Sequence, residues 1–257
     1  MDIAVITGAS SGLGEEFLKQ IDSYKFDEIW IIARSKEKLE GLQNEVKTNL
    51  KVLPLDLSLN SSFEIYEEKL LNERPNVKLL INCAGFGKFG DYSEISLEDS
   101  LKMIDLNCKA LVSMTVTTLP FMKEFSKILQ ICSSSSFQPL PLANVYASTK
   151  SFVLSYSRAL NYELKSRRIL VTAVCPGWVK TNFFETANKT KNPGAVNNYA
   201  FMSNAKDVVR KALHDMNKNK SISIYGAFSF AQFIGTKFFP KDFIMNIWVM
   251  SQKGSGN

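Results

Sequence analysis

Histidine is almost missing from this sequence: His214 is the single one among 257 residues. A metal centre built on paired histidines is therefore excluded, and no His-based catalytic triad exists except through that residue. Cysteine is sparse too. Cys83, Cys108, Cys132 and Cys175 form no CxxC pair, and three of them end apolar runs. Free buried thiols in a reducing cytoplasm are the expectation, with no metal bound. The longest apolar region, YGAFSFAQFIGTKFF, is broken by Gln232, Gly235, Thr236 and Lys237. It falls short of the ~20 clean residues a membrane span needs. The opening MDIAVITGASSG lacks a basic, apolar leader, so no signal peptide is expected. No linker and no repeat of 20–50 residue period interrupts the chain, so residues 1–257 read as one domain. The net charge of +6 is scattered, with one short cluster at Lys165, Arg167 and Arg168. Without a basic stripe, nucleic acid is not an expected partner.

What the chain does have is a rhythm. Apolar runs of strand length recur at 3–7, 29–33, 51–57, 78–83, 127–132, 170–175 and 222–226, with helix-period stretches between them. Runs apolar throughout imply strands covered on both faces, and alternation with helices implies parallel pairing by right-handed crossovers. The fold class is thus α/β, a Rossmann-type doubly wound parallel sheet of about seven strands. One segment, 96–119, reads as a long continuous helix and another as a helix over 146–166. Ligands in such sheets bind beyond the carboxyl ends of the strands. Six of these ends carry small, polar or turn residues, among them TGASSGLG, ARSKEKL, LDLS, NCAGFG, SSSSF and PGWVKT.

TGASSGLG follows a strand and opens a helix, with glycines at Gly8, Gly12 and Gly14. Such a loop offers backbone N–H groups and the positive end of a helix to a phosphate. Its Gly-x3-Gly-x-Gly spacing differs from the usual GxGxxG dinucleotide fingerprint. The second strand ends Ala33-Arg34-Ser35 where an acidic residue would bind a ribose diol. A guanidinium there suits a 2′-phosphate, so NADP(H) is preferred over NAD(H).

In YASTK, Tyr146 and Lys150 are four residues apart at the start of a helical stretch and share a face. A neighbouring ammonium favours phenolate, so Lys150 is expected to lower the Tyr146 pKa from about 10. A phenol so tuned passes a proton in step with hydride transfer. The lysine can also hold the nicotinamide ribose. Ser133 lies thirteen residues earlier at a strand end, placed to hydrogen-bond a substrate oxygen, with Ser134 as the fallback.

Taken in order, TGASSGLG, NCAG (82–85), YASTK and PGWVKT (176–181) resemble the motifs of the short-chain dehydrogenase/reductase family. The match runs from residue 3 to about 181, with Cys83 departing from the family's NNAG. The resemblance implies the strand order 3-2-1-4-5-6-7. It implies Tyr146 as acid/base, Lys150 as its partner, Ser133 as the substrate-orienting serine, and Asn107 as the holder of a relay water. Gly8, Ser10, Ser11, Gly12, Leu13, Gly14, Asn82, Ala84 and Gly85 would line the cofactor. Arg34, Ser35, Asp56 and Leu57 would surround its adenosine end, with Pro176, Gly177, Val179 and Thr181 near the nicotinamide. It also implies a homodimer or homotetramer.

In this family the segment after the sixth strand, here 178–205, closes over the substrate. Phe86, Phe89, Phe137, Trp178, Phe183 and Phe184 follow strand ends and would wall an apolar pocket. The same rings fit a core or a subunit contact equally well. The pattern resembles members acting on hydroxysteroids and on long-chain 3-oxoacyl groups. A hydroxysteroid or bile acid is the first expectation, and a long-chain 3-oxoacyl or other aliphatic carbonyl the alternative. A non-catalytic NADPH sensor is the competing class. The aromatic extension 228–257 is open between a peripheral membrane contact, a helix docked over the site, and a subunit contact.

Overall fold

The computed structural model describes residues 1–253. The first strand, β1 (Asp2–Thr7), shows why the sheet forms: all five residues from Ile3 to Thr7 are buried. Its side chains alternate between two cores. Ile3 and Val5 join one cluster, and Ala4 and Ile6 join the other. The neighbouring strand β2 (Glu28–Ala33) repeats this, with Trp30 and Ile32 on one side and Ile29 and Ile31 on the other. Each fully buried Ile or Leu contributes roughly 1.5–3 kcal/mol, so two covered faces supply most of the driving force.

The remaining strands are β3 (Leu50–Pro54), β4 (Asn76–Asn82), β5 (Lys127–Ile131), β6 (Leu170–Cys175), the short β7 (Val179–Lys180) and β8 (Ser203–Asn204), and β9 (Ile222–Ile224). Seven of them form one parallel sheet in the order β3-β2-β1-β4-β5-β6-β9. This is the anticipated order, with β9 as the seventh main strand; β7 and β8 pair separately. The third strand stops at Pro54, short of the expected residue 57, because proline has no N–H to continue the ladder. Asp56 and Leu57 thereby fall in the loop beyond the strand end.

Among the described residues, ten helices flank or follow the strands: α1 (Gly12–Ile21), α2 (Lys36–Gly41), α3 (Asn60–Glu73), α4 (Leu97–Ile104), α5 (Ala110–Thr118), α6 (Asn144–Glu163), α7 (Phe183–Ala187), α8 (Ala205–Asn217), α9 (Ala227–Phe238) and α10 (Lys241–Lys253). The continuous helix expected over 96–119 is not continuous. A π-type turn at Asp105–Lys109 separates α4 from α5. Its cause is Asn107, which is turned inward and buried. Its Oδ1 accepts from the Phe86 N–H at 3.0 Å, and its Nδ2 donates to the Phe86 carbonyl at 2.9 Å and to Thr149 Oγ1 at 3.0 Å. One extra residue in the turn redirects that side chain at the rim of the site.

Candidate active site

The carboxyl ends of β1 to β6 open into a shared cleft of about 970 Å³. Its floor is the glycine loop. Gly8 and Gly12 have φ of +68° and +60°, a region L side chains rarely adopt. A Cβ on Gly8 would sit 2.8 Å from the Ala84 nitrogen, so the loop can approach the end of β4 this closely only as glycine. Ser11, the N-cap of α1, makes no side-chain cap hydrogen bond. The helix start therefore presents unsatisfied N–H groups beside the cleft, an arrangement that suits a phosphate.

Thr7 secures the other wall. Its Oγ1 accepts from the N–H groups of Cys83 and Ala84, both at 3.1 Å. The backbone geometry at the NCAG departure thus does not depend on a side-chain amide at position 83. Burial pushes the Cys83 thiol up to about 12, so it is a neutral lining group.

Tyr146 and Lys150, one turn apart on α6, both reach the cleft, together with Ser133 at the end of β5. Ser133 Oγ accepts from the Ser135 N–H at 3.2 Å, which pins the serine turn. The expected lowering of the Tyr146 pKa is not what the protein alone produces. Burial pushes it up, to about 12, and hydrogen bonding with Ser133 and Ser135 only partly opposes this. Lys150 is also buried, and desolvation pulls its pKa down. Its Nζ donates to the Ile131 carbonyl at 2.8 Å and stands 5.9 Å from the centre of the Tyr146 ring. The ammonium thus has a backbone carbonyl as a partner, and burial keeps the Tyr146 phenol in its protonated form at neutral pH.

The sequence profile described as short chain dehydrogenase matches residues 2–192. The chain belongs to the short-chain dehydrogenase family. Among relatives of this dehydrogenase, an oxidoreductase of Staphylococcus epidermidis is 28% identical over 185 residues, covering 71% of this chain and 80% of that protein. The very-long-chain 3-oxoacyl-CoA reductase of Homo sapiens is 30% identical over 195 residues, covering 73% of this chain and 62% of the human protein. Among solved structures, a short-chain dehydrogenase from Sphingobium yanoikuyae in complex with NADPH is similar at a TM-score of 0.78 and 25% identity, over 92% of this chain and 94% of that one. The closed form of a serine dehydrogenase complexed with NADP+ is similar at 0.77 and 29% identity, over 87% and 94%.

Most residues anticipated around the cofactor of this dehydrogenase do line the cleft: Gly8, Ser10, Ser11, Gly12, Leu13, Arg34, Ser35, Asp56, Leu57, Ala84, Gly85, Pro176, Gly177, Val179 and Thr181. Gly14, Asn82 and Asn107 are not among the lining residues. A Cβ on Gly14 would lie 2.1 Å from the Gly8 carbonyl oxygen, so that glycine serves the packing of α1 on the loop. Asn82 Nδ2 donates to Thr115 Oγ1 and Gln130 Oε1, each at 3.0 Å, and braces β4 against α5 and β5. Of the two candidate serines, Ser133 lines the cleft and Ser134 does not.

The aromatic candidates divide similarly. Phe86, Trp178, Phe183 and Phe184 line the cleft. Phe89 is 1% exposed and lies under Tyr146, Trp178 and Phe183 at centroid distances of 6.5, 6.0 and 6.2 Å. It supports the wall without facing the cavity. Phe137 packs on Phe233 of α9 at 5.0 Å and also lies outside the lining.

The cleft also contains residues that sequence reasoning missed, notably Lys38, Ser58, Lys88, Asp99 and Lys102. Lys38 and Ser58 lie within the strand-end segments ARSKEKL and LDLS and could have been found there. The α4 residues carry no local signal, because the β4–α4 loop alone brings them to this edge. Lys88 is buried. Its Nζ donates to the Lys189 carbonyl at 2.6 Å and lies 3.6 Å from Asp99 Oδ2. The Phe89 N–H donates to the Ala187 carbonyl at 2.9 Å, and Thr190 Oγ1 donates to the Phe89 carbonyl at 2.7 Å. Asn192 Nδ2 adds a bond to Glu94 Oε1 at 2.9 Å. The segment after β6 is thus stitched to the β4–α4 loop.

Proposed function

We propose that this dehydrogenase is an NADP(H)-dependent oxidoreductase that interconverts a ketone and a secondary alcohol on a bulky apolar substrate. We favour a long-chain 3-oxoacyl or aliphatic carbonyl compound. The observation that carries the reading is one cleft holding the uncapped α1 terminus, the Ser133–Tyr146–Lys150 constellation and an aromatic wall.

The residues present fit a dinucleotide. The glycine loop and α1 would take its pyrophosphate. Arg34 just beyond β2 and Lys38 in the first turn of α2, both exposed, would take a 2′-phosphate. Bound there, the nicotinamide supplies or accepts a hydride. Tyr146 donates the proton from its hydroxyl to the substrate oxygen in reduction and recovers it in oxidation. Ser133 Oγ holds that oxygen in place.

The apolar preference rests on Phe86, Trp178, Phe183 and Phe184 along the cleft. Similarity to very-long-chain 3-oxoacyl-CoA reductases supports an extended chain over a fused-ring steroid. The steroid, the first expectation from sequence, is the competitor in the decisive experiment. That experiment follows NADPH oxidation against 3-oxoacyl thioesters of increasing chain length, steroid and bile-acid ketones, and short polyol-derived ketones. Turnover should rise with chain length, and Tyr146→Phe should remove about 10²–10⁴-fold of it while leaving cofactor binding intact. Turnover confined to short polar ketones, or an unaffected Tyr146→Phe protein, would refute the proposal.

A further inference from the structure

The helices α9 and α10 are built in the reverse of the usual pattern. A surface helix ordinarily turns its apolar stripe to the core and its polar residues to water. Here much of the inward anchoring is polar. Ser229 and Gln252 are buried, Gln232 Nε2 donates to the Ser134 carbonyl at 3.4 Å, and Gln252 Oε1 accepts from the N–H groups of Asn197 and Asn198. Phe233 and Trp248 complete the attachment, the latter donating from Nε1 to the Pro141 carbonyl at 2.8 Å.

The outward faces carry the large apolar side chains. Phe230, Ile234 and Phe238 recur at i, i+4 and i+8 on α9, and Phe243, Ile247 and Met250 at i, i+4 and i+7 on α10. Their exposures run from 37% at Ile234 to 78% at Phe238. Phe239, at the junction, lies tilted against Phe243 with ring centres 5.6 Å apart and joins the two stripes. At roughly 200 Å² per fully exposed large apolar side chain, these seven residues present on the order of 800 Å². A typical monomer's largest apolar patch is about 300–600 Å².

We infer that the α9–α10 pair is a docking surface for an anionic lipid bilayer, on which the protein lies peripherally. Charge argues for lipid over a second copy. Lys237 and Lys241 are exposed at the helix junction, with Asp242 the one exposed acid beside them among the described residues, on a chain of net charge +6. A two-fold contact through this patch would bring each lysine pair toward its own image. An anionic surface instead neutralises both while the phenylalanines enter the acyl boundary. No helix among the described residues is long and apolar enough to cross a membrane. Because α9 rests on the serine turn and α10 on Trp178, docking would set the aromatic wall of the cleft beside the lipid. That consequence rests on the proposed apolar substrate; the docking itself does not.

The test is sedimentation of the full chain, without cofactor or substrate, with phosphatidylcholine vesicles and with equimolar phosphatidylcholine–phosphatidylglycerol vesicles. Partition onto the anionic vesicles should exceed that onto neutral ones and weaken with added salt. F238S/F243S should reduce it by about tenfold or more, and K237E/K241E should abolish the anionic preference. Circular dichroism and light scattering run on each variant. Failure of the wild type to sediment, or unchanged partition of a folded F238S/F243S protein, overturns the inference. So does a fall in particle mass in F238S/F243S with vesicle partition unaltered, which would assign the face to a second copy. Vesicle binding is read without turnover, so a failed carbonyl screen and a failed sedimentation remain distinguishable.

Discussion

Replacing Arg34 by aspartate tests the cofactor assignment at its most exposed point. The guanidinium stands at the end of β2, on the cleft edge with Ser35, Lys38 and Ser58. Asp56 lies near it. Burial alone would raise that carboxyl, yet hydrogen bonds from Ser58 and the charges of Arg34 and Lys102 hold its pKa below the usual value. Two charge-assisted hydrogen bonds to a 2′-phosphate have a gross value of ~3–6 kcal/mol. Arg34 is exposed to solvent, so screening roughly halves this, and Lys38 survives the substitution. The introduced carboxylate adds repulsion against the phosphate. A net loss of about 3 kcal/mol follows, or about 150-fold in NADPH dissociation constant. NADH has no 2′-phosphate, and the same carboxylate would offer its ribose diol an acceptor, so its affinity should hold or improve. Titration by nicotinamide fluorescence measures both constants without a known substrate. Equal losses for NADPH and NADH, or an unchanged NADPH constant, would refute the reasoning.

Three other outcomes are expected. Ser133→Ala should lower turnover by about 10²-fold while Ser134→Ala leaves it nearly unchanged, because only the first hydroxyl lines the cleft; steady-state kinetics on the best ketone from the screen decides. Gly14→Ala should cost about 3 kcal/mol or more in urea denaturation, since its Cβ would lie 2.1 Å from the Gly8 carbonyl oxygen; a loss under about 1 kcal/mol would show that the loop relaxes freely. Asp215→Asn should cost about 3 kcal/mol at neutral pH, because a buried carboxylate holding Lys211, Lys220 and Ser223 loses its charge. Burial works to raise the Asp215 pKa, but those partners lower it below 3.8. Its contribution is therefore present above about pH 4 and lost as pH falls through the depressed value, so the gap between wild type and variant should close in acid. A gap independent of pH would point to packing instead.

Much of the architecture was legible in the sequence because burial on both sides of a parallel strand leaves an unbroken apolar run, and seven such runs stood apart between helical periods. The same holds for the glycine loop and YASTK, where the chemistry depends on neighbours in the chain. Asn107 was legible as a residue but not as a break in its helix, since the π-type turn is set by Phe86 and Thr149, distant in sequence. Phe89 and Phe137 looked identical in kind to Phe86 and Phe183, and only packing separates a ring beneath the wall from one on it.

By itself, then, the sequence determined the order of elements, the family and the grouping of Ser133, Tyr146 and Lys150 at one cleft, because periodicity and short-range spacing are written along one dimension. Tertiary structure alone decided the ionisation of that constellation. Lys150 reaches the Ile131 carbonyl, and at Tyr146 burial outweighs the hydrogen bonding with Ser133 and Ser135. It also decided which side of α9 and α10 meets water. That depends on what each face packs against, and an apolar stripe reads the same in sequence whether it points inward or out.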